Sequence, residues 1–177
     1  MPHPYYTESS LTDAFPLVID SFRTKGVTAE LELKGIYAPI PTPFDPDGTI
    51  AWEALDRNME KWLSSPLQGL VVGGSNGEFP SLSFAERAEL TARVTSRTKG
   101  RLPVIMGVHC PSFSETVELC RAASDSGADA VLALPPHYYK GQNTVETLRT
   151  YFWKLADGSP VPVVLYNMPA NTGFNLT

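Results

Sequence analysis

From Gly35 onward, short β-branched runs alternate with longer stretches of helical period, and this alternation limits the chain to a small group of folds. Strands separated by helices can pair only in parallel, so the pattern specifies βα units around a parallel sheet. The first strand reads as Gly35 to Phe44 and breaks up early, because Pro39, Pro41 and Pro43 cannot donate to a central ladder. Asp45-Pro46-Asp47-Gly48 is a turn, and Trp52, Leu55, Met59 and Leu63 recur at helical spacing up to Ser64-Ser65-Pro66. Gly69 to Val72 is the second strand, and Ser83 with Glu86 forms a capping-box signal for a helix ending near Lys99-Gly100. Pro103 to Val108 is the third strand. Ser112 or Ser114 opens a helix carrying Val117, Leu119, Cys120 and Ala123 to Ser126-Gly127. Ala130 to Leu134, Thr144 to Ala156 and Val161 to Tyr166 give strand four, helix four and strand five.

Five parallel strands with four helices fit either a doubly wound sheet or part of a (β/α)8 TIM barrel. A nucleotide-binding sheet would carry GxGxxG or GxxxxGK[ST] after its first strand, and here that strand runs into prolines. The barrel is therefore favoured, present as its N-terminal part, with functional loops at the C-terminal strand ends. Residues 35–177 form this unit. Residues 1–34 show no βα repeat, and Leu17, Val18, Ile19 and Phe22 predict one extra helix with a linker through Thr28.

Composition excludes several function classes. A net charge of −5, with 14 Lys and Arg scattered along 177 residues, offers no basic stripe for nucleic acid. No run approaches the roughly eighteen apolar residues of a membrane span. The N-terminus has neither a basic signal-peptide start nor the acid-poor character of a transit peptide, which leaves the cytoplasm as the expected location. Cys110 and Cys120 match no disulfide framework or paired metal motif, and no cofactor or metal is expected.

Two loops carry the chemistry. Gly73-Gly74-Ser75-Asn76-Gly77-Glu78 puts flexible glycines, backbone N–H groups and two small polar side chains at a strand end, a nest able to hold a carboxylate. An ordinary βα turn needing glycine for its backbone angles serves the same residues equally. Tyr166, followed by Asn167 and Pro169, ends strand five, where its hydroxyl could relay protons or its ring could simply pack. Tyr138 and Tyr139 after strand four pose the same choice. His109 and His137 each end a strand without an acidic or cysteine partner at metal-ligand spacing, and they are given no catalytic role.

Gly35 to Phe44, the Gly-Ser-Asn-Gly-Glu loop, Pro136-His137-Tyr138-Tyr139 and Tyr166-Asn167-Met168-Pro169 together resemble the dihydrodipicolinate synthase and N-acetylneuraminate lyase family of class I aldolases. The resemblance covers roughly Leu33 to Thr177, and Ser-Asn-Gly-Glu-Phe-Pro looks closest to the 4-hydroxy-2-oxoglutarate aldolase branch. It implies a (β/α)8 barrel, assembled as a homo-oligomer, in which a lysine on strand six forms a Schiff base with pyruvate or another 2-oxo acid. By matching position, Ser75 and Asn76 would hold the pyruvate carboxylate, Ser75 would join a proton relay, Tyr166 would be the acid/base, and Tyr138 would complete the relay, often across a subunit contact.

Two departures follow from the resemblance. Asn171 stands where dihydrodipicolinate synthases carry an arginine for the second substrate's carboxylate, which argues against aspartate semialdehyde and for a hydroxy-oxo acid. None of Lys25, Lys34, Lys61, Lys99, Lys140 or Lys154 matches the Schiff-base position. The expectation is thus an aldolase-family lyase whose chain, ending at Thr177, is a truncated form inactive by itself and prone to self-association through open strand edges. The alternatives are a non-catalytic half-barrel acting as a binding or regulatory module, a dihydrodipicolinate synthase, and a homodimeric half-barrel using Lys140.

Overall fold

A computed structural model of the chain describes residues 33–176. The helix predicted around Leu17 to Phe22 lies outside them. Five strands, β1 (Tyr37–Pro39), β2 (Gly69–Val72), β3 (Val104–Gly107), β4 (Ala130–Ala133) and β5 (Val163–Leu165), form one sheet in the order β1-β2-β3-β4-β5. Every pair is parallel, with Val71 opposite Ile105, Ile105 opposite Ala130 and Val131 opposite Val163. Sequential order with parallel pairing is what a barrel wall requires. The first strand is shorter than predicted and stops at Pro39, where the prolines begin.

Helices α1 (Trp52–Leu63), α2 (Phe84–Thr98), α3 (Phe113–Asp125) and α4 (Val145–Gly158) connect the strands. The short α5 (Pro169–Thr172) follows β5 and was not predicted. Local chemistry fixes the helix ends. Ser64 and Ser65 hydroxyls donate back to the Lys61 carbonyl at 2.9 and 2.8 Å and close α1. The Ser83 hydroxyl accepts from the Glu86 amide while the Ser83 amide donates to the Glu86 carboxylate at 2.8 Å, the predicted capping box. Ser112 rather than Ser114 caps α3, and Thr144 with Thr147 forms a second box at α4 that sequence reading missed because threonine replaces the usual Glu or Gln.

Both faces of the sheet are buried. Leu70, Val72, Val104, Met106, Val131, Ala133 and Val163 alternate onto the helix side, where they meet Leu55, Met59, Leu90, Val94, Leu119, Leu148, Phe152 and Leu155. Each such large side chain contributes on the order of 2 kcal/mol on burial. The other face holds Val71, Ile105 and Ala130, with Tyr37, Leu132 and Val164 packed against them. Among the described residues no helix is long and apolar enough to cross a membrane.

On the outside, Asp56 of α1 joins Arg93 and Arg97 of α2, each guanidinium engaging both carboxylate oxygens. Those hydrogen bonds hold the Asp56 carboxyl down at about 2. A depressed folded-state value means that the contribution is present above the ordinary carboxylate range and is lost as pH falls from about 4 to 2. Because the two arginine side chains remain 43% exposed, it should amount to only about 1 kcal/mol. Asp56→Asn should lower the melting temperature at neutral pH and flatten its fall between pH 4 and 2, measured by thermal unfolding at fixed ionic strength.

Candidate active site

Parallel strands place every βα loop at one edge, and a small, half-open cleft lies there, lined by Gly73, Gly74, Ser75, Phe79, Gly107, Val108, His109, Leu132, Leu134 and Tyr166. Ser75 and Tyr166, the two residues singled out most strongly by sequence, thus share one cleft. The Ser75 hydroxyl also faces Met168 Sδ at 3.9 Å, so the loops after β2 and β5 meet. Tyr166 is half-buried, and its amide donates to the Ala133 carbonyl at 2.9 Å, which extends the β4–β5 ladder to the cleft.

The loop after β2 folds on itself. Amides of Gly77, Glu78 and Phe79 donate to carbonyls of Gly74 and Ser75, and the Thr42 hydroxyl donates to the Gly77 carbonyl at 2.8 Å. The Ser75 and Asn76 amides are not among these intraloop donors, so they can meet an anion. Gly73 adopts φ +61°, and a Cβ placed on Gly107 would lie 2.1 Å from the Gly73 carbonyl oxygen. The ends of β2 and β3 therefore approach at a distance only glycine permits. The requirement for glycine here is one of shape, and it produces the cleft wall.

The remaining predicted residues lie elsewhere. Asn76 is exposed and outside the lining, although its amide belongs to the same turn. Tyr138 and Tyr139 are 84% and 74% exposed, packed edge to face on each other at 5.0 Å and outside the cleft lining. Asn171 sits exposed on α5, and Asn167 ties the segment after β5 together, donating to Asn175 at 2.8 Å and accepting from the Leu176 amide at 3.1 Å.

Sequence reading set His109 aside, yet it is a lining residue, 8% exposed, with its ring 4.6 Å from that of His137 and edge-on to Phe79 at 6.0 Å. Nδ1 of each histidine is buried without a partner. Burial first, then His137 and the Arg87 guanidinium, hold His109 down at about 4, so it is neutral in the cell. The available signal was that two histidines end successive strands of a parallel sheet, which makes them neighbours. A histidine whose folded value lies below its unfolded value of about 6.5 takes up its proton more readily on unfolding. Stability should therefore fall as pH drops from about 6.5 toward 4, and His109→Phe should flatten that part of the stability–pH curve measured by urea unfolding.

Residues 32–177 match the dihydrodipicolinate synthetase family. The chain is 37% identical over 150 residues to a 4-hydroxy-tetrahydrodipicolinate synthase of Sorangium cellulosum, covering 84% of this chain and 49% of that one. It is 38% identical over 143 residues to the synthase of Methanocaldococcus jannaschii, covering 81% and 48%. Its structure superposes with a TM-score of 0.76 on a crystal structure of a dihydrodipicolinate synthase at 37% identity, covering 81% of this chain and 49% of that one. With YagE, a prophage protein of the same family from E. coli K12 crystallised in complex with pyruvate, the TM-score is 0.78 at 32% identity, covering 83% and 49%. The chain spans about half the length of the curated relatives it matches. The sequential parallel sheet, the glycine-built cleft at its C-terminal edge and these matches agree: this chain belongs to the dihydrodipicolinate synthetase family and is built as the N-terminal part of a (β/α)8 barrel.

Proposed function

We propose that the protein is a Schiff-base-forming lyase that cleaves or forms a carbon–carbon bond in a 2-oxo acid such as 4-hydroxy-2-oxoglutarate. The observation that carries this reading is the convergence of Ser75, after β2, and Tyr166, after β5, on one cleft. The Ser75 and Asn76 amides and the Ser75 hydroxyl hold the 2-oxo acid's carboxylate. A lysine amine, supplied by the sixth strand of a complete barrel, adds to the C2 carbonyl and expels water to give an iminium. Tyr166 takes the proton from the C4 hydroxyl, the C3–C4 electron pair moves into the iminium, and an aldehyde departs. Tyr138, outside the cleft of its own chain, completes the relay from a neighbouring copy in a homo-oligomer.

The position of Asn171 supports a hydroxy-oxo acid over aspartate semialdehyde, because no cation on α5 is available for a second amino-acid carboxylate. The synthase names of the relatives favour the other reading, condensation of pyruvate with aspartate semialdehyde. One experiment separates them. Protein purified from its natural source is incubated with pyruvate and borohydride, its intact mass is measured, and both reactions are then assayed. We expect one reduced pyruvyl adduct on a lysine and faster cleavage of 4-hydroxy-2-oxoglutarate than condensation. An adduct with the opposite rate order would make it a synthase, and a chain ending at Thr177 without adduct would leave only a non-catalytic module. In the active protein, Tyr166→Phe should lower kcat by roughly 100- to 10,000-fold, the usual worth of a proton-transfer group, while borohydride still traps the pyruvate adduct.

A further inference from the structure

We infer that Arg87 is the buried counter-charge for the carboxylate of the 2-oxo acid, acting from behind the cleft wall as a positioning residue. The inference rests on the proposed 2-oxo-acid reading and deepens it. Arg87 lies on the inward stripe of α2 with Leu90, Thr91, Val94 and Thr98 and is 4% exposed. Its Nη2 donates to the Gly107 carbonyl at 2.7 Å, and its Nη1 donates to the His109 carbonyl at 2.9 Å and faces Cys110 Sγ at 3.5 Å. The guanidinium carbon stands 5.5 Å from the centre of the Phe79 ring. Gly107, His109 and Phe79 all line the cleft, so the guanidinium is one layer from the ligand.

Among the described residues no carboxylate pairs with this cation, and its Nε is buried without an acceptor. Burial lowers its pKa, but a guanidinium remains charged in a protein. An uncompensated buried cation is costly to keep unless some anion repays it. The cleft lining contains no Asp, Glu, Lys or Arg, and His109 is neutral, so Arg87, bonded to the carbonyls of two lining residues, is a full positive charge that a bound carboxylate meets through its wall. The Ser75 and Asn76 amides give the carboxylate its hydrogen bonds, and Arg87 gives it charge complementarity. The two carbonyl contacts also fix the end of β3, and through the Gly107–Gly73 approach they set the loop that carries those amides.

Charge and shape can be separated with pyruvate and its neutral near-isostere pyruvamide, titrated calorimetrically into protein expressed from its whole reading frame. Arg87→Met should weaken pyruvate binding about tenfold, as expected for loss of one charge at this depth, and change pyruvamide binding less than about twofold. Arg87→Lys, which keeps the charge and loses the fork, should retain the preference for pyruvate. Equal weakening of both ligands by Arg87→Met would leave Arg87 a purely structural residue and overturn the inference. If that variant does not fold, Arg87→Lys decides: a folded lysine variant without the preference overturns it, and one that keeps the preference supports it. A parent protein that binds pyruvate no better than pyruvamide overturns this inference alone, whereas one that binds neither overturns the proposed function with it.

Discussion

Parallel pairing of strands in sequential order is the constraint on which the rest of this structure depends. Each strand must be followed by a crossover long enough to return to the starting edge, so helices occupy one face and every strand points its C-terminal end the same way. The central strands β2 and β3 are then buried on both faces and read as nearly continuous apolar runs rather than alternating ones. Segments far apart in sequence, the Gly73 to Glu78 loop and Tyr166, reach one cleft because no other arrangement of the loops is available to them.

That edge is shaped by a backbone approach. The contact of Gly107 with the Gly73 carbonyl leaves no room for any side chain, and it brings the end of β3 against the turn that exposes the Ser75 and Asn76 amides. Arg87 secures the same strand end from the helix side through the Gly107 and His109 carbonyls. Glycine removes steric bulk from the mouth, and a planar five-donor group binds one carbonyl at the end of the ladder and one just past it.

The strand–helix alternation was legible in the sequence because each element carries its own signal: β-branched runs for the strands, Leu55 and Met59 at helical spacing in α1, and Ser83 with Glu86 at the start of α2. Ser75 and Tyr166 were legible as strand-end residues. Cleft formation by His109 and Phe79 was not, because it depends on lateral neighbours across β2, β3 and β4, and single-strand patterns do not report lateral position. Arg87 occupies a slot on the apolar stripe of α2, three and seven residues before Leu90 and Val94, and a charged residue in such a slot signals a buried polar contact. Tyr138 shows the opposite limit. Its motif is clear, yet its 84% exposure shows that a strand-end position alone does not bring a ring into the cleft of its own chain.

The described cleft divides the chemistry of a 2-oxo acid in an informative way. It has amides for a carboxylate, a phenol for a proton and a buried cation for net charge, but no lysine among its lining residues. Donors and a phenol can bind a 2-oxo acid and shift protons, yet breaking the C3–C4 bond also requires an acceptor for an electron pair, which an iminium at C2 would supply. A cation one layer away stabilises a carboxylate in both the free acid and its iminium adduct, so Arg87 contributes mainly uniform binding. Tyr166 differs, because its proton moves only as the bond breaks. On the proposed reading, binding and charge selection belong to the β2–β3 side of the cleft, and the proton transfer that accompanies bond cleavage belongs to Tyr166 on the β5 side and the amine it would face.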